Sequence, residues 1–182
     1  MELLDIYDEN NNYLGYSLDR KEAHDKNLWH YHVSAWIMNY DGEILLQQRS
    51  FSKKKNPGKW TKTGGHVSAD ETCVQAIKRE IFEEIGLELN DDEIKIIDEF
   101  KSTNPKEHYF SYGYIVFTNK KEDEFILQKE EVRDVKYLSI EQIEELRKQD
   151  NKDYTFCNWD LDGFNKQISI LKKYRNIVKM NK

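Results

Sequence analysis

The chain has 182 residues, of which 38% are hydrophobic and 34% are charged, and its formal net charge is −6. This length favours one domain with a substantial core over two domains, and the composition is typical of a soluble, highly charged globular protein. The negative balance argues against broad nucleic-acid binding. No apolar run approaches the roughly 20 residues that a membrane span needs.

The cysteines and the start of the chain indicate the compartment. Cys73 and Cys157 show no metal-ligand spacing, so we expect free thiols rather than a disulfide. The first residues lack the basic start and the apolar stretch of a signal peptide. Together these features predict a cytoplasmic protein.

Strands dominate the predicted structure of the first third of the chain. An N-terminal hairpin is expected within about residues 1–18, as strands 3–7 and 13–17 around an Asn-rich turn. Residues 20–27 are polar and ambiguous. Strands 33–38 and 44–48 form a second predicted hairpin with its turn at 39–42. A basic loop, residues 50–59, ends at the breaker Asn56-Pro57-Gly58, and residues 60–67 lead into a helix.

That helix lies in the most densely patterned part of the chain. Four apolar residues recur at helical spacing and predict a stripe that faces the core: they are Val74, Ile77, Ile81 and Ile85. Ser68 and Glu71 have the spacing of a capping box, with Ser68 as the N-cap. Gly86 fits the end of the helix, where a left-handed residue is needed.

Three glutamates on this helix, Glu80, Glu83 and Glu84, are related as i, i+3 and i+4 and therefore project from one face. Because three neighbouring anions repel one another, they disfavour the helix unless a cation lies between them. Carboxylate oxygens suit Mg²⁺ or Mn²⁺ better than zinc. The alternative is an ordinary solvated acidic face.

The second half of the chain alternates strands and helices. Strands are expected at 94–100, 109–118 and 132–138. Ser139 begins a second capping box and a helix over 139–148, and apolar spacing predicts a C-terminal helix within about 160–178. Strands alternating with three helices indicate an α/β or α+β fold.

The segment from residue 65 to residue 87 resembles the Nudix box, G-x5-E-x7-R-E-U-x-E-E-x-G-U, where U is a bulky apolar residue. The matching residues are Gly65, Glu71, Arg79, Glu80, Ile81, Glu83, Glu84, Gly86 and Leu87. The resemblance implies a single domain over 1–182 with an α/β/α sandwich around a mixed β-sheet. It also implies hydrolysis of a diphosphate linkage in a nucleoside diphosphate derivative or a related organic diphosphate, with Mg²⁺ or Mn²⁺ as cofactor. Nudix relatives often form homodimers.

Roles in such a site follow from the chemistry and from the resemblance. Glu83 and Glu84 are the expected metal ligands, with Glu80 as ligand or base, because attack of water on phosphorus needs divalent cations and a base. In the family, the carbonyl before the box glycine, here that of Gly64, often completes the metal shell. Arg79 is expected to orient a glutamate. Glu130 and Glu131 precede the strand expected at 132–138, where Nudix hydrolases often place a further acid, and Glu131 is the expected one; the alternative is that both are solvated loop charges.

Substrate-binding residues are expected upstream of the helix. Arg49, Lys53 and Lys54 could hold the diphosphate, since cationic side chains suit phosphate oxygens; three consecutive lysines are otherwise typical of a solvated loop. Gly65 and the following His66 are further expected substrate-binding residues. The pair Gly64-Gly65 allows the backbone to approach a metal or phosphate closely.

Six aromatic residues could stack on a nucleobase, although aromatic residues in strands more often belong to the core or the sheet surface. They are Trp29, Trp36, Trp60, Tyr109, Tyr112 and Tyr114.

Residues 2–10, 24–36 and 48–60 resemble Nudix proteins related to isopentenyl diphosphate isomerase. In the isomerases, histidines that match His66 and His30, and one near His24, contribute to a metal site with two glutamates on a later strand. This chain has Phe110-Ser111-Tyr112 on that strand and Gly64 in place of the catalytic cysteine. Isomerase activity is therefore the disfavoured alternative, and a catalytically weak nucleotide sensor is another. His24, His30 and His32 are otherwise packing or hydrogen-bonding groups.

Overall fold

A computed structural model describes residues 2–102, 104 and 107–180. The strands and helices are, in chain order, β1 Leu3–Tyr7, β2 Tyr13–Asp19, α1 Arg20–Asp25, β3 His30–Asn39, β4 Ile44–Arg49, β5 Trp60–Thr61, β6 Thr63–His66, α2 Cys73–Ile85, β7 Lys95–Lys101, β8 Tyr109–Thr118, β9 Val132–Leu138, α3 Ile140–Lys148 and α4 Leu161–Met180.

A seven-stranded sheet organises the fold. Five of its strands run in the order β5-β4-β3-β8-β7, while β6 pairs with β3 and β9 pairs with β4. The β3–β4 hairpin is antiparallel, with Ile37 opposite Leu45, and β4 is also antiparallel to β9, with Gln47 opposite Val135. The expected α/β class with a mixed sheet is confirmed.

The chain divides into two compact units, and each of them is discontinuous in sequence. The first comprises Met1–Ala35, Gly64–Ile81 and Glu88–Ile115, and the second comprises Trp36–Thr63, Phe82–Leu87 and Val116–Lys182. Strands β3 and β8 and helix α2 contribute residues to both units. The single domain over 1–182 stays a prediction.

The first unit contains the predicted N-terminal hairpin. Strands β1 and β2 pair as a separate two-stranded sheet, and Leu4, Ile6 and Ala23 form its fully buried core. The ambiguous polar segment after β2 forms the short helix α1, because the side chain of Asp19 accepts a hydrogen bond from the Lys21 amide and caps it.

The second unit contains the two C-terminal helices. Helix α3 begins as predicted after Ser139, whose side chain accepts from the Gln142 amide while the Gln142 side chain accepts from the Ser139 amide. Helix α4 buries an apolar stripe, and its Lys172 pairs with Glu144 of α3 at 2.8 Å. The predicted C-terminal helix is confirmed and extends to Met180.

Helix α2 begins later than predicted. Its first residue is Cys73, so Ser68 is not the N-cap. Instead, the Thr72 hydroxyl accepts from the Gln75 amide at 3.2 Å and the Gln75 side chain accepts from the Thr72 amide at 2.8 Å. This is the reciprocal geometry of a capping box, four residues further along the chain. The helix ends at the predicted Gly86, which has a φ of +67°.

Both cysteines are free, as predicted, and Cys157 is buried. No helix within the described ranges is long and apolar enough to cross a membrane.

Candidate active site

Glu80, Glu83 and Glu84 lie on helix α2 at positions i, i+3 and i+4, as predicted, but they differ in how deeply they are buried. Glu83 is exposed and Glu80 is half-buried, whereas Glu84 exposes only 5% of its surface. The predicted apolar stripe causes this gradient, because Ile77, Ile81 and Ile85 are fully buried and draw that side of the helix inward. A buried carboxylate needs hydrogen bonds or a cation to offset its lost hydration.

In the first unit, Arg79 connects the box residues to one another. Its Nε and Nη2 donate to the two carboxylate oxygens of Glu71 at 2.9 and 3.0 Å, and its Nη1 donates to Glu80 Oε1 at 2.8 Å. Nη2 also donates to the carbonyl oxygen of His66 at 3.0 Å. The hydrogen bonds that Arg79 donates to Glu71 raise the pKa of Arg79 further above its ordinary value, so the guanidinium stays charged. Arg79 therefore fixes the carboxylate of Glu80 and the backbone that precedes α2.

The glycine pair before α2 is explained by close approaches within the first unit. A Cβ at Gly65 would lie 2.3 Å from the Cδ and Oε1 atoms of Glu80. A Cβ at Gly64 would lie 2.4 Å from the backbone oxygen of Val33. Gly65 thus leaves space for a box carboxylate, whereas Gly64 leaves space for the neighbouring strand.

In the second unit, Glu84 ends a buried hydrogen-bond chain that the sequence analysis missed. Gln47 Nε2 donates to Glu84 Oε2 at 2.8 Å, and Thr63 Oγ1 donates to Gln47 Oε1 at 2.9 Å. Gln47 and Thr63 expose 3% and 4% of their surfaces. In the sequence, this role of Gln47 is indicated only by its position directly after the three apolar residues Ile44-Leu45-Leu46 of the same strand.

The loop that carries Glu131 is fastened to the end of α2 within the second unit. The amide of Ile126 donates to the carbonyl of Ile85, and the amide of Gln128 donates to that of Glu84, both at 3.1 Å. The Glu131 amide then donates to Gln128 at 2.9 Å. Glu131 therefore lies on a segment that is bonded to a box residue, while its neighbour Glu130 is exposed.

The basic loop also contacts this acidic segment. The Ser50 amide donates to the Glu131 carbonyl at 2.8 Å, and the Lys53 ammonium forms an ion pair with the Glu131 carboxylate. Arg49 Nε donates to the Lys55 carbonyl at 3.0 Å, and Lys54 is exposed. The structure thus brings together one predicted phosphate-binding cation and one predicted acid, as partners of each other.

A histidine cluster lies in the first unit. Ligand nitrogens of His24, His30 and His66 lie within 4.8 Å of one another, and the Nε2 atoms of His24 and His66 are 3.0 Å apart. Burial lowers the pKa of His66 far below its ordinary value and also lowers that of His30. His30 Nδ1 donates to the Leu28 carbonyl at 2.9 Å, so the lone pair of its neutral ring is on Nε2.

Neutral imidazoles at this spacing can hold a transition-metal ion. These three histidines are the ones that the resemblance to the isomerases matches, or places near, histidines of their metal site. On β8, the ring of Tyr109 lies 6.5 Å from that of His30, a member of this cluster, and Ser111 Oγ lies 3.4 Å from Nδ1 of the nearby His32. The acids expected of an isomerase are not among these two neighbours.

Most of the aromatic residues considered for base stacking are buried or already packed against other side chains. Trp36 and Tyr114 expose 3% and 1% of their surfaces, so stacking on a base is wrong for both. Trp29 stacks on His108 with ring centroids 4.6 Å apart. Trp60 lies under the Lys136 ammonium at 3.9 Å, and Tyr112 stacks on Tyr31 at 5.8 Å.

Comparison with known proteins defines the class. Residues 28–159 match the NUDIX domain, and this range includes residues of both compact units. The match covers well over half of the chain, and the chain therefore belongs to the Nudix family.

Its relatives include both hydrolases and isomerases. An uncharacterized Nudix hydrolase of Clostridium acetobutylicum is 32% identical over 160 residues, covering 83% of this chain and 75% of that protein. Nudix hydrolase 3 of Arabidopsis thaliana is 30% identical over 183 residues, 94% of this chain but 23% of that protein. An isopentenyl-diphosphate Delta-isomerase of Salmonella paratyphi B is 42% identical over 77 residues, covering 41% of this chain and 42% of that protein. The chain spans less than half the length of the latter two relatives.

Solved structures share the fold. DR0079 of Deinococcus radiodurans has a TM-score of 0.65 and 24% identity, over 78% of this chain and 86% of that one. A bifunctional NMN adenylyltransferase/ADP ribose pyrophosphatase of Francisella tularensis, complexed with AMP and a Mn ion, has a TM-score of 0.53 and 22% identity over 80% of this chain and 41% of that one. The NUDIX domain of Shewanella oneidensis NrtR, complexed with ADP ribose, has a TM-score of 0.51 and 20% identity over 63% of this chain and 75% of that one.

Proposed function

We propose that this protein hydrolyses a diphosphate linkage with the help of Mg²⁺ or Mn²⁺. The observation that carries the proposal is the box segment around helix α2, in which Arg79 of the helix binds both Glu80 of the same helix and Glu71, which precedes it. An accidental acidic face gives no reason for an arginine on the same helix to bind both one of its carboxylates and the glutamate that precedes the helix. Divalent cations are suited to such carboxylates and would neutralise charge on the phosphoryl oxygens.

The metal is assigned to Glu80, Glu83 and Glu84, with the carbonyl of Gly64 as a further ligand. This donor set consists of oxygen atoms, which fits Mg²⁺ or Mn²⁺. Glu84 is the member that most needs a cation, because it is the most deeply buried of the three carboxylates. Arg79 keeps Glu80 in place and stays charged without needing to touch the substrate.

Arg49, Lys53 and Lys54 would bind the phosphates. Gly65 and His66 are further proposed substrate-binding residues. Glu131 would act as the additional acid or base. Its ion pair with Lys53 is part-buried, with 28% of the Lys53 side chain and 33% of the Glu131 side chain exposed. In the proposed complex, a substrate phosphate would replace Glu131 as the partner of Lys53, because both are anions that an ammonium group can pair with.

The substrate class is a nucleoside diphosphate derivative or a related organic diphosphate. Two structural neighbours are complexes with AMP or ADP ribose, which supports a nucleotide-containing substrate without naming one. The isomerase alternative has local sequence similarity and the histidine cluster in its favour. It lacks a thiol at Gly64, where a proton donor to the alkene would be needed. The sensor alternative predicts binding without turnover.

The test is a hydrolysis screen with nucleoside diphosphate derivatives and other organic diphosphates, with Mg²⁺ or Mn²⁺. We expect release of product that depends on the metal and is lost in Glu84→Gln. Binding of a nucleotide without turnover would favour the sensor and overturn the hydrolase. A cytoplasmic location and a homodimer remain predictions.

A further inference from the structure

The buried chain from Thr63 through Gln47 to Glu84 is not required by the fold. Strand β4 is apolar where it enters the core, and a leucine would fill the volume of Gln47 without a polar group. A buried amide costs free energy unless all of its hydrogen bonds are made. Gln47 makes hydrogen bonds at both ends of its amide, and one of these ends on a box glutamate.

As a metal ligand Glu84 would be ionised, and the direction of each hydrogen bond in the chain then follows from its negative charge. An ionised carboxylate only accepts, so the amide nitrogen of Gln47 must face it. The amide oxygen then faces Thr63, whose hydroxyl must donate. The carboxylate therefore fixes the orientation of the amide, and the Thr63 hydroxyl stabilises that orientation by donating to the amide oxygen. All three residues belong to the second compact unit.

We propose that Gln47, oriented by Thr63, is a positioning residue that holds the carboxylate of Glu84 in the rotamer that binds the divalent cation. The proposal rests on the proposed function, in which Glu84 is a metal ligand. It goes beyond the box, because neither Gln47 nor Thr63 is part of that motif. Partners behind metal ligands orient them, and their loss costs about 10- to 100-fold in metal affinity or activity.

The experiment measures Mn²⁺ binding to the full chain by calorimetry, without substrate. Gln47→Leu keeps the volume and removes the amide, and we expect about tenfold weaker binding. Glu84→Gln removes the ligand itself. Because Gln47 acts through Glu84, the double variant should bind Mn²⁺ no more weakly than Glu84→Gln alone. A residue with a merely structural role would weaken binding by the same factor in both backgrounds.

A second pair of variants addresses Thr63 and covers the case in which Gln47→Leu does not fold. Thr63→Val removes the hydroxyl and should weaken Mn²⁺ binding by at least about threefold, while Thr63→Ser retains the hydroxyl and should restore it. Thr118→Val is the matched control, because Thr118 is another buried threonine whose hydroxyl is hydrogen-bonded, at 3.1 Å to the Lys120 amide. Its Mn²⁺ affinity should equal that of the wild type.

Two negative outcomes have separate meanings. If Glu84→Gln binds Mn²⁺ as tightly as the wild type, Glu84 is not a ligand, and the metal site of the proposed function fails. If Glu84→Gln binds weakly but Gln47→Leu stays within about twofold of the wild type, only the positioning role fails. Equal affinities of Thr63→Val and Thr63→Ser would likewise overturn the role of Thr63 and, if Gln47→Leu is unfolded, the proposal as a whole.

Discussion

Substitution of Gly65 by alanine should inactivate the enzyme without unfolding it. The new Cβ would lie 2.3 Å from Cδ and Oε1 of Glu80 and 2.6 Å from Oε2. Because non-bonded carbon atoms need roughly 3.5 Å, the carboxylate must move by about 1 Å. That shift would break the 2.8 Å hydrogen bond from Arg79 Nη1 to Glu80 Oε1.

The expected magnitude follows from this displacement. A misplacement of about 1 Å in a reacting constellation can cost about 100-fold in rate, so kcat should fall by roughly that factor. Stability should change little, because the displaced group is the end of a flexible side chain. Gly64→Ala should instead lower the stability, because its new Cβ would lie 2.4 Å from the backbone oxygen of Val33. Strain against a backbone atom should cost about 1–3 kcal/mol of stability.

The assay combines steady-state hydrolysis of the best substrate at saturating Mg²⁺ with thermal melting of both variants. Gly65→Ala should show a low kcat with a nearly unchanged Tm, and Gly64→Ala should show a clearly lower Tm. A kcat within about twofold of the wild type in Gly65→Ala would refute the reasoning, because a displaced Glu80 should reduce the rate far more than that. A Tm lowered as much as in Gly64→Ala would also refute it.

Three further predictions concern the metal, the phosphates and the alternative chemistry. Glu84→Gln should fold normally, bind Mn²⁺ more weakly and lose at least about tenfold in turnover; unchanged metal titration and rates would contradict this. Arg49→Ala should raise KM about ten- to hundredfold, the loss of a charge-assisted hydrogen bond of roughly 1.5–3 kcal/mol, while metal binding without substrate hardly changes. A normal KM with a lower Tm would instead mean that Arg49 only supports the loop through its hydrogen bond to Lys55. Isopentenyl diphosphate in deuterated water should take up no carbon-bound deuterium, and stoichiometric, enzyme-dependent uptake would restore the isomerase hypothesis.

Local patterns predicted most of the secondary structure, because they depend on residues that are close in sequence. The start of α2 was wrong for a physical reason. Ser68 and Glu71 fit the capping box, but Thr72 and Gln75 fit it equally well, and periodicity cannot choose between them. Glu71 is held by Arg79, eight residues further along the chain. It is therefore a partner of the arginine rather than the third residue of the helix.

The candidate site was predictable only where the motif specified it. The box named Glu80, Glu83 and Glu84, and the apolar stripe indicated which side of α2 packs inward, but neither showed that Gln47 would bind Glu84. Contacts between residues that are distant in sequence could not be predicted from local patterns. The pair Lys53–Glu131 joins positions 78 residues apart, and Gln47 and Glu84 are 37 apart.

The two native thiols offer a route to site-specific labelling. Burial raises the pKa of Cys73 to about 11 and also raises that of Cys157 above its ordinary value. Since the thiolate is the form that reacts with maleimides and iodoacetamides, both cysteines should react slowly near neutral pH. A cysteine introduced at the exposed Phe51 should therefore be modified first. A fluorophore there would report on the basic loop when phosphate ligands arrive, with no need to remove either natural cysteine.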